Sequence, residues 1–339
     1  MMKRSKVHKL LNALVKIIIL LLSFWYIYHQ LSVKEGWEES FFKLPEFLQQ
    51  QEVSLWIGLV VLMMLLNWSI EALKWRYLIR KSEKITFLKA LQAVWAGVTV
   101  STFTPNRIGE YVGRVFILDQ TNPWKASFMT VIGSISQFLV TVMAGSAGLI
   151  LFTLRQIPWE DYVPPLLFWS LVVVIVLMNI LLLVFFFNIH LLEPLLKRFT
   201  LKRWIKLREH LEVFRTYTLK ELLYVLALSI SRYVVFSLQL YLLFRVFGIP
   251  VPLIDGMIII SSIYLCMSAV PTIALSELGV RGSLATFFFG IYYADQYLLV
   301  DSVNTMSVLA SMMIWIINLV IPALIGAVFV VRLKFFRNQ

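Results

Sequence analysis

From Val163 to Asn188 the chain carries no charged side chain. About 20 apolar residues in helical form cross the roughly 30 Å hydrocarbon core of a bilayer, where every backbone polar group must be paired within the segment. Four further runs are long and apolar with few charges: Ser54 to Leu73, Ala126 to Leu154, Leu222 to Phe247 and Thr305 to Val331. Near the N-terminus the run from Leu10 to Tyr28 is broken only by Asn12, Lys16 and Ser23. Basic residues precede it (Lys3, Arg4, Lys6, Lys9), as in a signal peptide. The run ends in Phe24-Trp25-Tyr26, an interfacial aromatic anchor and not a small-residue cleavage site, so an uncleaved first span is expected. Composition agrees. With 60% hydrophobic residues, 15% charged residues and a mean hydropathy of +0.81, a soluble domain of this size could not hide its apolar surface. No soluble catalytic domain is expected anywhere in the 339 residues.

Two regions are weaker. Residues 90–118 hold an apolar run from Ala90 to Phe103, a polar turn and a short apolar piece; residues 254–293 repeat that plan, with the first run ending at Val270. Runs of about 10 to 15 residues are too short to span and suit re-entrant segments. The basic residues set the topology. The N-terminal tail has four Lys/Arg, residues 74–89 have six, residues 189–220 have eight and the C-terminal tail has three. The 31–53 loop carries two Lys against five Glu, the 155–162 loop one Arg against two acids, and 295–304 has Asp295 and Asp301 with no base. Positive-inside logic puts the first group, and with it both termini, in the cytoplasm and the second group outside. Each weak region then enters and leaves on one side, from opposite faces. The expected fold is an all-α polytopic membrane protein with about six full transmembrane helices and two oppositely oriented re-entrant hairpins. Its first half is 54–188 with hairpin 90–118, its cytoplasmic connector 189–220, and its second half 221–331 with hairpin 254–293.

The hairpin turns resemble each other. The first has Pro105, Arg107, Gly109, Glu110 and Arg114; the second has Pro271, Glu277, Gly279 and Arg281. Both read Pro, then Glu-x-x-x-Arg, the trace of an inverted repeat with a site at the bilayer midplane. Proline and glycine free backbone N–H groups at membrane depth, which is tolerated only beside protein or a wet cavity. A helix restarting near Asn106 would aim its positive end inward, and the arginine fork suits phosphate. Glu110 with Arg114, and Glu277 with Arg281, stand i,i+4 and can pair on one helix face. Intramembrane charge marks function by default. A self-neutralising pair that only lets the hairpin exist in lipid is the plainer alternative.

Outside the hairpins, Glu71 lies near the cytoplasmic end of its span, close to Lys74, Trp75 and Arg76. Arg232 lies too deep in its span to snorkel and needs a partner, for which Glu110 and Glu277 are the candidates; Arg245, at the outer end, can snorkel. Cys266 is the single cysteine and sits in an apolar stretch, which points to packing. His8, His29, His190 and His210 show no ligand spacing, so neither metal nor cofactor is expected. Between Pro194 and Lys220, Leu196, Phe199, Trp204, Leu207, Leu211 and Phe214 recur at helical spacing among bases, as in an amphipathic helix lying on an anionic leaflet. Such a stripe does not alternate aromatics with bases, so the net charge of +12 reflects cytoplasmic loops and not a nucleic-acid partner.

The run from Thr104-Pro105 through Gly109-Glu110 to Arg114, with Pro271 and then Leu278-Gly279-Val280-Arg281, resembles the lysylphosphatidylglycerol synthase transmembrane region, or flippase-like membrane domain, over roughly Leu10 to Val331. The family's second hairpin tends to be glycine-rich with a Glu directly after the Arg. Here that position is Gly282, and the carboxylate comes earlier, at Glu277. The resemblance implies a bacterial inner-membrane protein that moves an anionic phospholipid or polyprenyl-linked lipid between leaflets. Arg107, Glu110, Arg114, Arg232, Glu277 and Arg281 would serve the headgroup, and Pro105, Gly109, Pro271 and Gly279 would shape the turns. Synthase members carry a soluble aminoacyl-transfer domain, and nothing here resembles it, so the translocation half is what is expected. The rival readings are an intramembrane lipid-modifying enzyme, a small-anion transporter, and a scaffold partnered with an envelope-synthesis enzyme or forming a homo-oligomer. The chain has no His-Glu-x-x-His and no paired acids of the metal–diphosphate kind to favour the enzyme.

Overall fold

The computed structural model describes residues 51–102, 104, 108–199, 210–270, 276–294 and 297–330. The expected first span, the turn residues Pro105, Arg107 and Pro271, and the middle of the connector lie outside the described residues. In chain order the helices are α1 (Gln51–Ile79), α2 (Phe87–Ser101), α3 (Gly109–Val115), α4 (Pro123–Gln156), α5 (Pro165–Phe187), α6 (Leu192–Phe199), α7 (Leu219–Val246), α8 (Leu253–Ala269), α9 (Ser276–Tyr292) and α10 (Tyr297–Trp315). A π-helical turn (Ile316–Val320) and α11 (Ile321–Val330) complete the series. No strand occurs among the described residues. The protein is an all-α polytopic membrane protein.

Five stretches are long and apolar enough to cross a membrane: Glu52–Ile79, Pro123–Gln156, Pro165–Phe187, Leu219–Val246 and Thr305–Val330. They coincide with five of the six runs read from the sequence. Local chemistry sets their ends. Pro123 occupies the first turn of α4, where its missing N–H costs nothing, and Asn122 caps the Trp124 amide. Thr218 and Glu221 form a reciprocal capping box at the start of α7. Just past the end of α7, Gly248 has a φ of 78° that lets the Ile249 N–H reach back to the Phe244 carbonyl at 2.9 Å. α5 buries only Phe168 and Phe186, as expected of a helix whose surroundings are lipid.

The helices that are too short by themselves pack in an exchanged pattern. α2, of 15 residues and so roughly 22 Å long, packs against α3, α1 and α11. α8 packs against α4, and α9 against α10. The first short helix of each half thus lies on the span that follows the short helices of the other half. Glycine makes both contacts close. A Cβ at Gly326 of α11 would come within 2.1 Å of the Trp95 carbonyl oxygen, and one at Gly145 of α4 would come within 2.5 Å of Leu265 Cβ. Between helices in lipid, where no hydrophobic force draws them together, such close approach supplies the attraction.

The described helix after the first turn begins at Gly109, whose backbone N–H donates to Thr104 Oγ1 at 2.7 Å; Asn106, near which the restart is expected, lies outside the described residues. That helix has seven residues, so it offers no long-helix dipole for an anion. One expectation is corrected: the connector is not one lipid-facing helix in its described parts. α6 stops at Phe199, residues 211–215 form a 3-10 turn, and Leu211 and Phe214 are buried in the protein core, with the Phe214 ring 5.7 Å from that of Phe128. A stripe of apolar side chains among bases serves a protein surface as well as a lipid one.

Candidate functional site

One face of α1 presents Asn67, Glu71 and Lys74, spaced four and three residues apart. Three other elements bring charge or polar groups to it. α3 supplies Glu110 and Arg114, α7 supplies Ser229 and Arg232, and α4 supplies Ser136 and Gln137. Glu71 is the hub. Its Oε1 lies 2.8 Å from Arg114 Nη1, and its Oε2 lies 2.8 Å from Lys74 Nζ and 3.3 Å from Arg232 Nη1. The second guanidinium nitrogen of Arg114 donates to Glu110. Gln137 Oε1 accepts from Lys74 at 3.4 Å and from Arg232 at 3.5 Å, and Ser229 Oγ lies 3.3 Å from Lys74 and 3.0 Å from Ser136 Oγ.

Glu71, Lys74 and Arg114 are all at least 95% buried. Buried charges are costly unless paired with good geometry, and removing one partner of such a set leaves the rest uncompensated. Among the described residues of the cluster, Lys74, Arg114 and Arg232 converge on Glu71, and Arg114 also reaches Glu110. α3 reaches the cluster because it packs closely on α2. A Cβ at Gly113 would come within 2.6 Å of Gly97 Cα, and one at Gly97 within 2.9 Å of Arg114 Cγ. Glycines at these two positions let α2 and α3 lie backbone to backbone and leave room for the Arg114 side chain.

Beside the cluster is a cavity of about 570 Å³. Arg232 forms part of one wall; Glu277 and Arg281 of α9, paired at 2.6 Å, form part of another. Trp68 packs under the Arg232 guanidinium, 5.2 Å from ring centroid to Cζ. Phe138, near the middle of α4, and Val270, at the end of α8, sit in the lining and are 50% and 42% exposed, so the cavity meets the outer surface at mid-helix height. The π turn contributes Asn318 and Leu319 to the wall. A π turn inserted in a helix is often found at a functional site.

The expected site residues therefore divide. Glu110, Arg114 and Arg232 come together; Glu277 and Arg281 stand across the cavity; Gly109 and Gly279 lie in the first turns of α3 and α9. Arg232 pairs with Glu71, not with Glu110 or Glu277, because the α1–α7 contact brings Glu71 beside it. Glu71 and Lys74 are the pair at the centre of the cluster that the Glu-x-x-x-Arg motifs did not reveal. Their signal was an acid and a base three residues apart inside an apolar span. Among the described residues no group of three or more His, Cys, Asp or Glu side chains comes together as a metal site.

The model of the lysylphosphatidylglycerol synthase TM region family matches residues 13–326, and the chain belongs to that family. No curated protein and no solved structure matches it. Membership gives the chain the character of a membrane domain linked to lipid modification or flipping.

Proposed function

We propose that this member of the lysylphosphatidylglycerol synthase membrane-region family carries the anionic headgroup of a phospholipid or polyprenyl-linked lipid between the leaflets of a bacterial inner membrane. Its path is the cavity between Arg232 and Arg281, and both termini are cytoplasmic. The observation that carries this reading is the convergence of cations on Glu71 beside the cavity. Lys74, Arg114 and Arg232 all reach that one carboxylate, next to a cavity that opens at mid-helix height. Positive charge in a medium of low polarity is stabilised by an incoming anion, and a phosphate can take the place of a carboxylate on an arginine fork. The exchange of hairpin arms between the two halves supports an inverted repeat, in which rocking one half against the other would open the cavity to each leaflet in turn.

The test is lipid movement in proteoliposomes carrying labelled anionic lipids. Arg232→Leu is expected to abolish movement while the protein still inserts. Undiminished movement in Arg232→Leu would refute the reading. Chemical change of the headgroup without movement would favour an intramembrane enzyme, and neither change nor movement a scaffold.

A further inference from the structure

The last span is one rod in outline but two in its packing. α10 rests on α9 and α7, whereas α11 rests on α2. Between them lies the π turn, which meets α1. Its bonding is loosened from both ends. The Ile321 N–H donates to the Ile316 carbonyl five residues back instead of four. Pro322, in the first turn of α11, has no N–H to give to the Asn318 carbonyl four residues before it. Sharp bends in helices fall at prolines and at π turns, where the regular hydrogen-bond ladder is interrupted. Here the two coincide.

The two sides of the turn belong to different bodies. Thr99 Oγ1 of α2 donates to the Ala323 carbonyl at 2.7 Å, and at Gly326 the α11 backbone lies against the Trp95 carbonyl. α2 holds α3 through Gly97 and Gly113 in the same way, so α11, α2 and α3 are joined backbone to backbone. On the other side, α10 goes with α9, which carries Glu277 and Arg281. The turn itself stands at the cavity. Asn318 and Leu319 line it, as do Ile314 and Trp315 at the end of α10. Asn318 Nδ2 donates to Gln239 Oε1 at 3.1 Å, and Gln239 Nε2 donates to the Val60 carbonyl at 2.9 Å, which tethers the turn to α7 and α1.

We infer that the π turn is a hinge, worked by the occupant of the cavity, on which α11, α2 and α3 swing as a unit against α9 and α10. An occupant pressing on Asn318 and Leu319 bends the last span there, because the ladder is weakest at that point. The Gly326 contact carries α2 along with α11, and α2 carries α3 with Arg114. Arg114 shares Glu71 with Arg232, which lines the same cavity, so the movement returns to the wall where it began. The hinge gives the translocation reading its moving part, and it rests on that reading only for the class of occupant, an anionic lipid.

The test is a pair of spin labels in the Cys266→Ala protein, in nanodiscs of phosphatidylcholine with and without phosphatidylglycerol. Phe287 of α9, Val328 of α11 and Leu88 of α2 are exposed and take the labels after replacement by Cys. Phosphatidylglycerol should change the Phe287–Val328 distance by about 1–2 Å or more, the scale of helix shifts in switching proteins. The Leu88–Val328 distance, within the moving unit, should stay as it was. Deleting Val320 removes the extra residue of the turn and leaves a regular helix, so it should abolish the Phe287–Val328 change and stop lipid movement in proteoliposomes. A Phe287–Val328 distance that never changes in the parent, a Leu88–Val328 change just as large, or a change that survives the deletion would each overturn the hinge. The first two are read without the deletion, so its failure to fold would not shield the inference. A distance change with no lipid movement in the parent would sink the translocation reading and keep the hinge. Equal lipid movement in the parent and the deletion protein would sink the hinge and keep translocation.

Discussion

Arg114 Nη1 lies 2.8 Å from Glu71 Oε1, across 43 residues of sequence. Through this contact the short helix α3, which cannot span a membrane, is tied by charge to a helix that can. The same carboxylate holds Lys74 and Arg232, so three helices answer to one side chain. Replacing Glu71 by Gln should therefore be the most damaging single change in the cluster. It takes the shared carboxylate from Lys74, Arg114 and Arg232, and breaking a buried pair costs about 3–5 kcal/mol. Thermal unfolding in detergent should show either no folded protein or a large fall in melting temperature. A near-normal melt for Glu71→Gln would mean that water or lipid already screens the cluster.

The turn that leads from α1 into α2 has its own acid clamp. Glu83, in the turn between α1 and α2, accepts from the backbone N–H groups of Asp119, Gln120 and Thr121 at 3.2, 2.9 and 3.1 Å, and from Lys89 at 3.1 Å. Burial raises its pKa, but the hydrogen bonds from the Gln120, Asp119 and Thr121 amides and from Lys89 outweigh this and hold the carboxyl below its ordinary value of 4.5. A carboxyl depressed on folding contributes stability above its unfolded pKa and loses it as pH falls through the folded one. Melting temperature should thus hold steady down to about pH 5 and then fall, and Glu83→Gln should be less stable at pH 7 and show less of that fall. Parallel pH curves for the two proteins would remove Glu83 from the account.

The exchanged packing of hairpin arms makes a contrast between glycines testable. At Gly326 a methyl would press on the Trp95 carbonyl and the Thr99 hydroxyl, at 2.1 and 2.4 Å, both parts of α2. Gly326→Ala should cost about 1–3 kcal/mol or more, as overpacking does. At Gly282 the nearest atom is Val308 Cγ2 at 3.6 Å, an ordinary contact, and the backbone is helical. Gly282→Ala should be neutral or gain up to about 1 kcal/mol. Equal melting of the two variants would mean that α2 does not rest on α11 in the membrane.

How far the sequence reached can be seen residue by residue. The spans were legible because an apolar run has one solution in lipid, and the Glu110–Arg114 and Glu277–Arg281 pairs because i,i+4 spacing leaves little choice. The role of Glu71 was not legible, since its partners come from three elements and only packing decides which cation reaches it. The tie from Asn318 to Gln239 was hidden for the same reason. Asn318 in particular depends on a π turn, and five apolar-flanked residues give no periodic sign of one. Leu211 and Phe214 misled because helical spacing records that a face is apolar, not whether lipid or protein covers it.

The charge topology is open to labelling. Lys84 and Tyr162 are exposed in loops on either side of α2–α4. In a variant with Cys266 replaced by Ala, a cysteine at Tyr162 should react with an impermeant maleimide in intact cells, and one at Lys84 only after permeabilisation. Labelling of both from one side would overturn the same-side entry of the first hairpin.

The last prediction separates transport from architecture, and the two arginines of the hairpins are not equivalent for it. Arg114 bridges two carboxylates, with Nη1 on Glu71 and Nη2 on Glu110. A lysine has one ammonium and cannot span both, so Arg114→Lys should lose stability whether or not the protein moves lipid. Exchanging the pair, Glu110→Arg with Arg114→Glu, would set a carboxylate against Glu71 and fail for the same reason. Arg281 faces the cavity instead, with one nitrogen 2.6 Å from Glu277 Oε1. Lysine there keeps the charge and can keep that contact, but it loses the planar fork that receives a phosphate on two oxygens. Arg281→Lys should therefore melt within a few degrees of the parent while lipid movement in proteoliposomes falls about tenfold or more, the worth of one charge-assisted hydrogen bond of about 1.5–3 kcal/mol. Full activity with normal melting would make Arg281 part of the frame and leave Arg232 as the cavity's phosphate contact. Lost melting would make the pair structural, as its spacing alone would allow.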